Sequence, residues 1–143
     1  MTKNTHLASS LRTVTSHLFK RLRQQINTID NLSITEITTL SNLYNHQPLF
    51  PSQMADMVKI KAQSMSQIIN KLEEANLIVK IPSETDKRKV AVSLSDFGKE
   101  MVDRTRFERD EWLNEAIEQC LSAADKKLLQ QAVELMEKLA EYK

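Results

Sequence analysis

Residues 52–94 read SQMADMVKIKAQSMSQIINKLEEANLIVKIPSETDKRKVAVSL. Along this stretch the apolar period changes from helical to two, and that change decides the fold. Ser52 is placed to cap a short helix over 53–58, with Met54, Ala55 and Val58 inward. Lys59-Ile60-Lys61 leaves room only for a turn. From 62 to 75, at 100° per residue, Met65, Ile68, Ile69 and Leu72 share one side. Gln63, Ser64, Ser66, Gln67, Asn70 and Lys71 share the other, and Asn76 stands where a left-handed residue stops a helix. Beyond it Val79 and Ile81 alternate with Lys80, and Val90, Val92 and Leu94 alternate with Ala91 and Ser93. The polar loop 82–89 joins these two short strands. The order is helix, tight turn, helix, then a β-hairpin with a basic tip.

The flanks extend this plan. Leu7, Leu11, Val14, Leu18, Leu22, Ile26 and Ile29 form one narrow stripe, which predicts a long helix over 6–29. Ser33 with Glu36 reads as a capping box, and Leu32 with Ile37 as its hydrophobic staple, opening a helix over 34–45. Gln47-Pro48-Leu49-Phe50-Pro51 is a connector with room for a very short strand. Ser95 caps a helix over 96–120 with Phe97, Met101, Thr105, Trp112, Ala116 and Cys120 on one stripe. Ser122 with Asp125 starts a last helix over 123–142. The expected fold is mainly α with a small β-hairpin wing. A winged helix-turn-helix part spans 33–100, with dimerisation helices over 6–29 and 101–142 of one domain, 1–143.

Composition narrows the function. With 143 residues, 41% hydrophobic and 27% charged, the chain is long enough for one globular core. One Gly and three Pro leave little punctuation, which suits long helices, and no glycine-rich phosphate loop is possible. No apolar run approaches the roughly 20 residues that span a bilayer. With no signal-peptide pattern and a single Cys120, a cytoplasmic location is expected. Net charge is only +1, but it is segregated. Residues 1–29 carry five bases and no acid; residues 59–89 carry seven bases against four acids; residues 99–143 carry eight against eleven. One basic face can therefore coexist with near-neutrality.

The helix-turn-helix order gives the polar flank of 62–75 a task. Such a motif places its second helix in the major groove, its N-terminal residues meeting base edges. Short amides and hydroxyls discriminate bases there, and lysine reads guanine or phosphate. Gln63, Ser64, Gln67 and Lys71 match that need, and Lys61 stands at a helix N-terminus suited to phosphate. Lys87, Arg88 and Lys89 at the hairpin tip suit an adjacent minor groove. Either feature alone is ordinary solvated surface; the combination points to double-stranded DNA. The rival reading is a winged-helix protein–protein interaction module without DNA binding, against which the basic tip and polar helix speak.

Three motifs then carry a resemblance: Leu72-Glu73-Glu74-Ala75-Asn76-Leu77-Ile78, Asp86-Lys87-Arg88, and Leu94-Ser95-Asp96-Phe97-Gly98. In order and spacing the chain resembles the MarR family of bacterial regulators over most of its length, most strongly from Ser33 to Met101. Asn76 departs from the glycine usual there, yet asparagine tolerates the left-handed conformation. The resemblance implies a sequence-specific transcriptional regulator, a ligand-responsive repressor rather than an enzyme. It implies that Asp86 orients Arg88 toward the minor groove. It also implies a homodimer and a small aromatic or phenolic effector.

The last helix supports a dimer independently. Leu128, Ala132, Leu135 and Leu139 form one stripe, and Leu129, Val133, Met136 and Ala140 a second. A helix apolar over half its circumference needs two neighbours, and a second copy of the chain supplies one. A two-fold dimer implies a pseudo-palindromic operator. His6, His17 and His46 show no metal-ligand spacing, so neither a metal nor a cofactor is expected. Cys120, at stripe spacing, reads as a core cysteine. His17, Arg21 and Tyr44 are near enough to a possible effector cleft to note, without assignment.

Overall fold

The computed structural model describes residues 3–26, 31–86 and 88–143. The elements run α1 (Thr5–Gln24), α2 (Ile34–His46), α3 (Pro51–Val58), α4 (Ala62–Glu74), β1 (Ile78–Pro82), β2 (Val90–Leu94), α5 (Asp96–Cys120) and α6 (Ala123–Ala140). They fall into two compact units, one of Met1–Gln25 with Glu108–Lys143 and one of Ile26–Phe107.

The second unit holds the core. Leu40 and Leu43 of α2, Met54 and Ala55 of α3, and Met65, Ile69 and Leu72 of α4 are buried together with Leu77, Ile78, Val92, Leu94, Met101 and Val102. The capping box at the start of α2 is present: the Glu36 amide donates to Ser33 Oγ at 3.1 Å, and the Ser33 amide donates to Glu36 Oε2 at 3.0 Å. Leu32 and Ile37 are each half-buried.

Two non-glycine left-handed residues shape the helix-turn-helix. Lys59, at φ 56°, ends α3, and the Ile60 amide donates to the Ala55 carbonyl at 3.1 Å. Asn76, at φ 61°, ends α4, and the Leu77 amide donates to the Leu72 carbonyl at 3.0 Å. Both are six-to-one closures that satisfy a terminal carbonyl, and in both the following apolar residue packs on the core.

β1 and β2 pair antiparallel from Ile78 opposite Leu94 to Pro82 opposite Val90. The connector contributes a single bridge, with Leu49 exchanging two backbone bonds with Val92 at 3.0 and 2.7 Å. The apolar alternation of β1 does not mark its buried side. Ile78 is buried, whereas Val79 and Ile81 are exposed, because the register places them opposite Ser93 and Ala91.

Two boundaries and one burial pattern differ from the sequence expectations. α1 stops at Gln24 rather than near 29: the Gln25 amide turns back to the Leu22 carbonyl, and its side chain caps the Arg21 carbonyl at 3.0 Å. The apolar period runs on to Ile26, which is half-buried and belongs to the other unit; Ile29 lies outside the described residues. α3 starts at Pro51, not after a Ser52 cap. Proline supplies the first helical φ, and Gln53 Oε1 accepts the Phe50 amide at 2.8 Å. Along α5 the expected stripe is buried only at Met101 and Thr105; Phe97 and Cys120 are exposed in the single chain, so Cys120 is not a core cysteine.

The one glycine sits where α4, β1 and α5 meet. Ser95 Oγ donates to the Asn76 carbonyl at 2.6 Å and accepts the Gly98 amide at 2.9 Å, while the Ser95 amide donates to the Leu77 carbonyl at 3.1 Å. A Cβ on Gly98 would collide with the backbone carbonyl of Leu77. Backbone cannot yield there as a flexible side chain can. Gly98→Ala should therefore lower stability by about 2–3 kcal/mol or more, at the upper end of overpacking costs, read as a fall in the urea midpoint against wild type. An unchanged midpoint would contradict this packing.

Candidate nucleic-acid interface

α4 presents a divided surface. Met65, Ile69 and Leu72 are buried and Ile68 half-buried, whereas Gln63, Ser64, Ser66, Gln67, Asn70 and Lys71 are exposed. The inward anchors fix which side of the helix faces solvent. Lys61 occupies the N-cap position with an extended backbone and no side-chain cap bond. The first-turn amides of α4 are thus left for solvent or an anionic ligand. Gln63 and Ser64 lie in that first turn, and Gln67 follows about one turn later on the same flank.

The wing supplies the second half. Asp86 Oδ1 accepts the Arg88 amide at 3.0 Å and Arg88 Nε at 3.4 Å. The carboxylate thus holds a local turn and leans on the guanidinium, while the Arg88 side chain stays 92% exposed. An ion pair this exposed adds little stability; its effect is to bias where the arginine points. Lys89 Nζ lies 5.6 Å from the centre of the Phe50 ring, bringing the base of the wing against the start of α3. Phe50, Pro51, Ser52, Arg88, Lys89 and Val90 line an open hollow of about 310 Å³ there. Lys87, the remaining base expected at the tip, lies outside the described residues.

Lys71 differs from its neighbours on α4. Its Nζ donates to both oxygens of Glu36 at 3.0 Å and to the Asn31 carbonyl at 3.1 Å. The sequence gives no local sign of this pair, because the partners stand 35 positions apart. Two further contacts brace the wing. Lys80 pairs with Glu73 at 3.3 Å, and the Leu94 amide donates to Gln47 Oε1 at 2.8 Å.

Of the residues noted for an effector, His17 is exposed, and Arg21 and Tyr44 have partners among the described residues. Arg21 lies over the Trp112 ring at 5.3 Å. Tyr44 donates its hydroxyl to Asp103 Oδ1 at 2.6 Å, and Arg106 lies 4.1 Å over the Tyr44 ring. Arg106 also donates to Asn45 Oδ1 at 3.2 Å and Ser41 Oγ at 3.4 Å, so α2 and α5 share a polar cluster. No group of His, Cys, Asp or Glu among the described residues is arranged to hold a metal. No helix is long and apolar enough to cross a membrane among those residues.

The hydrogen bond to Asp103 raises the Tyr44 phenol above its ordinary value of 10.0, with partial burial and the Asp103 charge acting in the same direction and Arg106 opposing them. The neutral phenol is the form that the fold favours. Its contribution is therefore present below the unfolded value and is lost as pH rises through the folded one. Asp103→Asn should move the Tyr44 transition to lower pH in a near-ultraviolet absorbance titration. A transition that stays in place would contradict the assigned bond.

A profile described as the MarR family matches residues 32–90. An HTH-type transcriptional regulator of Mycobacterium bovis is 30% identical over 130 residues, covering 91% of this chain and 90% of that protein. A Pseudomonas aeruginosa crystal structure, described as a transcriptional regulator protein, superimposes with a TM-score of 0.90 at 26% identity, covering 100% of this chain and 99% of that one. A MepR mutant of Staphylococcus aureus bound to an oligodeoxyribonucleotide shares the fold with a TM-score of 0.71 at 18% identity, over 94% of this chain and 98% of that one.

Proposed function

The chain belongs to the MarR family, and from that premise we infer that it is a sequence-specific, double-stranded-DNA-binding transcriptional regulator. One observation carries the reading: the Gln63, Ser64 and Gln67 flank of α4 is exposed, held outward by Met65, Ile69 and Leu72 on the buried side. In this reading α4 enters the major groove, where amides and hydroxyls meet base edges. Arg88, biased by Asp86, enters the adjacent minor groove, and Lys61 and Lys89 meet phosphates, with Lys87 serving beside them. The winged part over 33–100 carries the DNA contacts.

We further propose a homodimer built on α1, the later turns of α5 and α6. No residue of α6 is buried, and Leu128, Leu129, Val133, Leu135, Met136 and Leu139 are exposed on it. Leu7, Val14, Leu18 and Phe19 of α1 are exposed as well. Covering a single leucine contributes about 1.5–3 kcal/mol, so a second copy seated there gains substantially. Two copies imply a pseudo-palindromic operator with half-sites about one helical turn apart. The action is that of a repressor in the cytoplasm, released by a small aromatic or phenolic effector, with no catalytic step. The repressor and effector parts of this reading rest on the family resemblance.

Selection of bound duplexes from a random pool should return a pseudo-palindrome. Against it, Arg88→Ala should weaken binding more than tenfold, on the order of 1–3 kcal/mol for a specific contact. Gln67→Ala should change base preference and leave the melting temperature intact. Unaltered gel-shift titrations for both variants would refute the assigned surface. The double variant Leu128→Glu/Leu135→Glu should sediment as a monomer and lose cooperative binding to the full palindrome. A wild-type protein that sediments as a monomer at micromolar concentration would overturn the dimer.

A further inference from the structure

Glu36 is the charged residue in the buried set among the described residues, with its side chain 11% exposed. A carboxylate so placed requires partners for both oxygens. One partner is local: Oε2 accepts the Ser33 amide and closes the capping box of α2. The other comes from α4, where Lys71 Nζ reaches both oxygens at 3.0 Å. An ammonium group has three donors. Nζ thus sits between the Glu36 carboxylate and the Asn31 carbonyl at 3.1 Å, its charge already paired, although the side chain remains 49% exposed.

Lys71 also lies four residues after Gln67, on the flank that carries Gln63 and Ser64. A tether at that place acts on the rotation of α4 about its own axis. The apolar anchors Met65, Ile69 and Leu72 fix depth, but packed apolar contacts are non-directional. A charge-assisted hydrogen bond to a carboxylate itself held by a helix cap is directional.

We propose that Lys71 and Glu36 form a positioning pair: Lys71 does not contact DNA but locks the angle at which Gln63, Ser64 and Gln67 meet the bases. The inference rests on the DNA-binding reading above and revises the role expected of Lys71 within it. A phosphate-contacting lysine contributes counterion release and little base preference; a positioning lysine does the reverse.

The test is fluorescence anisotropy with the selected operator and a scrambled duplex of equal length, across a salt series. The proteins are wild type, Lys71→Met, Lys71→Arg and Glu36→Gln, the last keeping an acceptor for the Ser33 amide. Lys71→Met should leave the slope of log affinity against log salt unchanged. It should reduce the operator-to-scrambled ratio by roughly tenfold, the scale of one lost base readout. Glu36→Gln, on a different helix, should reduce the ratio in the same way, and Lys71→Arg should restore most of it. Should Lys71→Met unfold around an unpaired carboxylate, the double variant Glu36→Gln/Lys71→Met removes that charge and should show the same loss of ratio. A slope lower by about one in Lys71→Met with the ratio preserved, or a double variant with wild-type discrimination, would overturn the pair's role while leaving DNA binding intact. Wild type binding neither duplex at low salt would instead overturn the DNA-binding reading, and this role with it.

Discussion

The outward face of α4 follows from the burial of three of its side chains. Met65, Ile69 and Leu72 enter the same core as Leu40, Leu43 and Val92. At helical spacing this decides which side of the helix faces solvent, so the amides of Gln63 and Gln67 and the hydroxyl of Ser64 face outward, while the finer angle is left to the Lys71–Glu36 pair. A large-to-small change at any of the three anchors would cost both stability and the fixed aim of the polar flank. Packing and recognition are opposite sides of one helix.

The ends of that helix are fixed by backbone rather than by apolar contact. Lys59 and Asn76 both take left-handed conformations, so α3 and α4 each stop abruptly and the chain changes direction within a residue or two. After Asn76 the strand β1 begins at once, and Gly98 lets the start of α5 approach the Leu77 carbonyl. The wing therefore departs from a braced corner. Its tip then depends on a much softer device, the exposed Asp86–Arg88 contact, which biases an arginine without burying it. Rigid base and free tip together suit a side chain that must enter a groove of sequence-dependent width.

Much of this was legible from residue patterns because it is local. The capping box at Ser33 and Glu36, the amphipathic split of α4, the stop at Asn76 and the change to strand period all depend on neighbours within a few positions. What was not legible is long-range or competitive. Lys71 reads as one more base on a polar face until Glu36, 35 positions earlier, is seen to occupy it. Val79 and Ile81 suggest the buried side of β1, but pairing with β2 puts Ile78 there instead. The stripe of α1 continues into Ile26 although the helix has ended at Gln24 and Ile26 belongs to the other unit. Cys120 matched a stripe that is buried at Met101 and Thr105, half-buried at Trp112 and Ala116, and exposed at its far end in the single chain.

Hydrogen–deuterium exchange of the protein with and without its selected duplex tests the central claim most directly, because it reports which backbone segments the DNA covers. Protection should concentrate in peptides spanning 61–71 and 83–90, with the core strands and the later turns of α5 little changed. Protection that misses both segments, at a duplex concentration that saturates binding, would contradict the assignment of α4 and the wing as the reading surface.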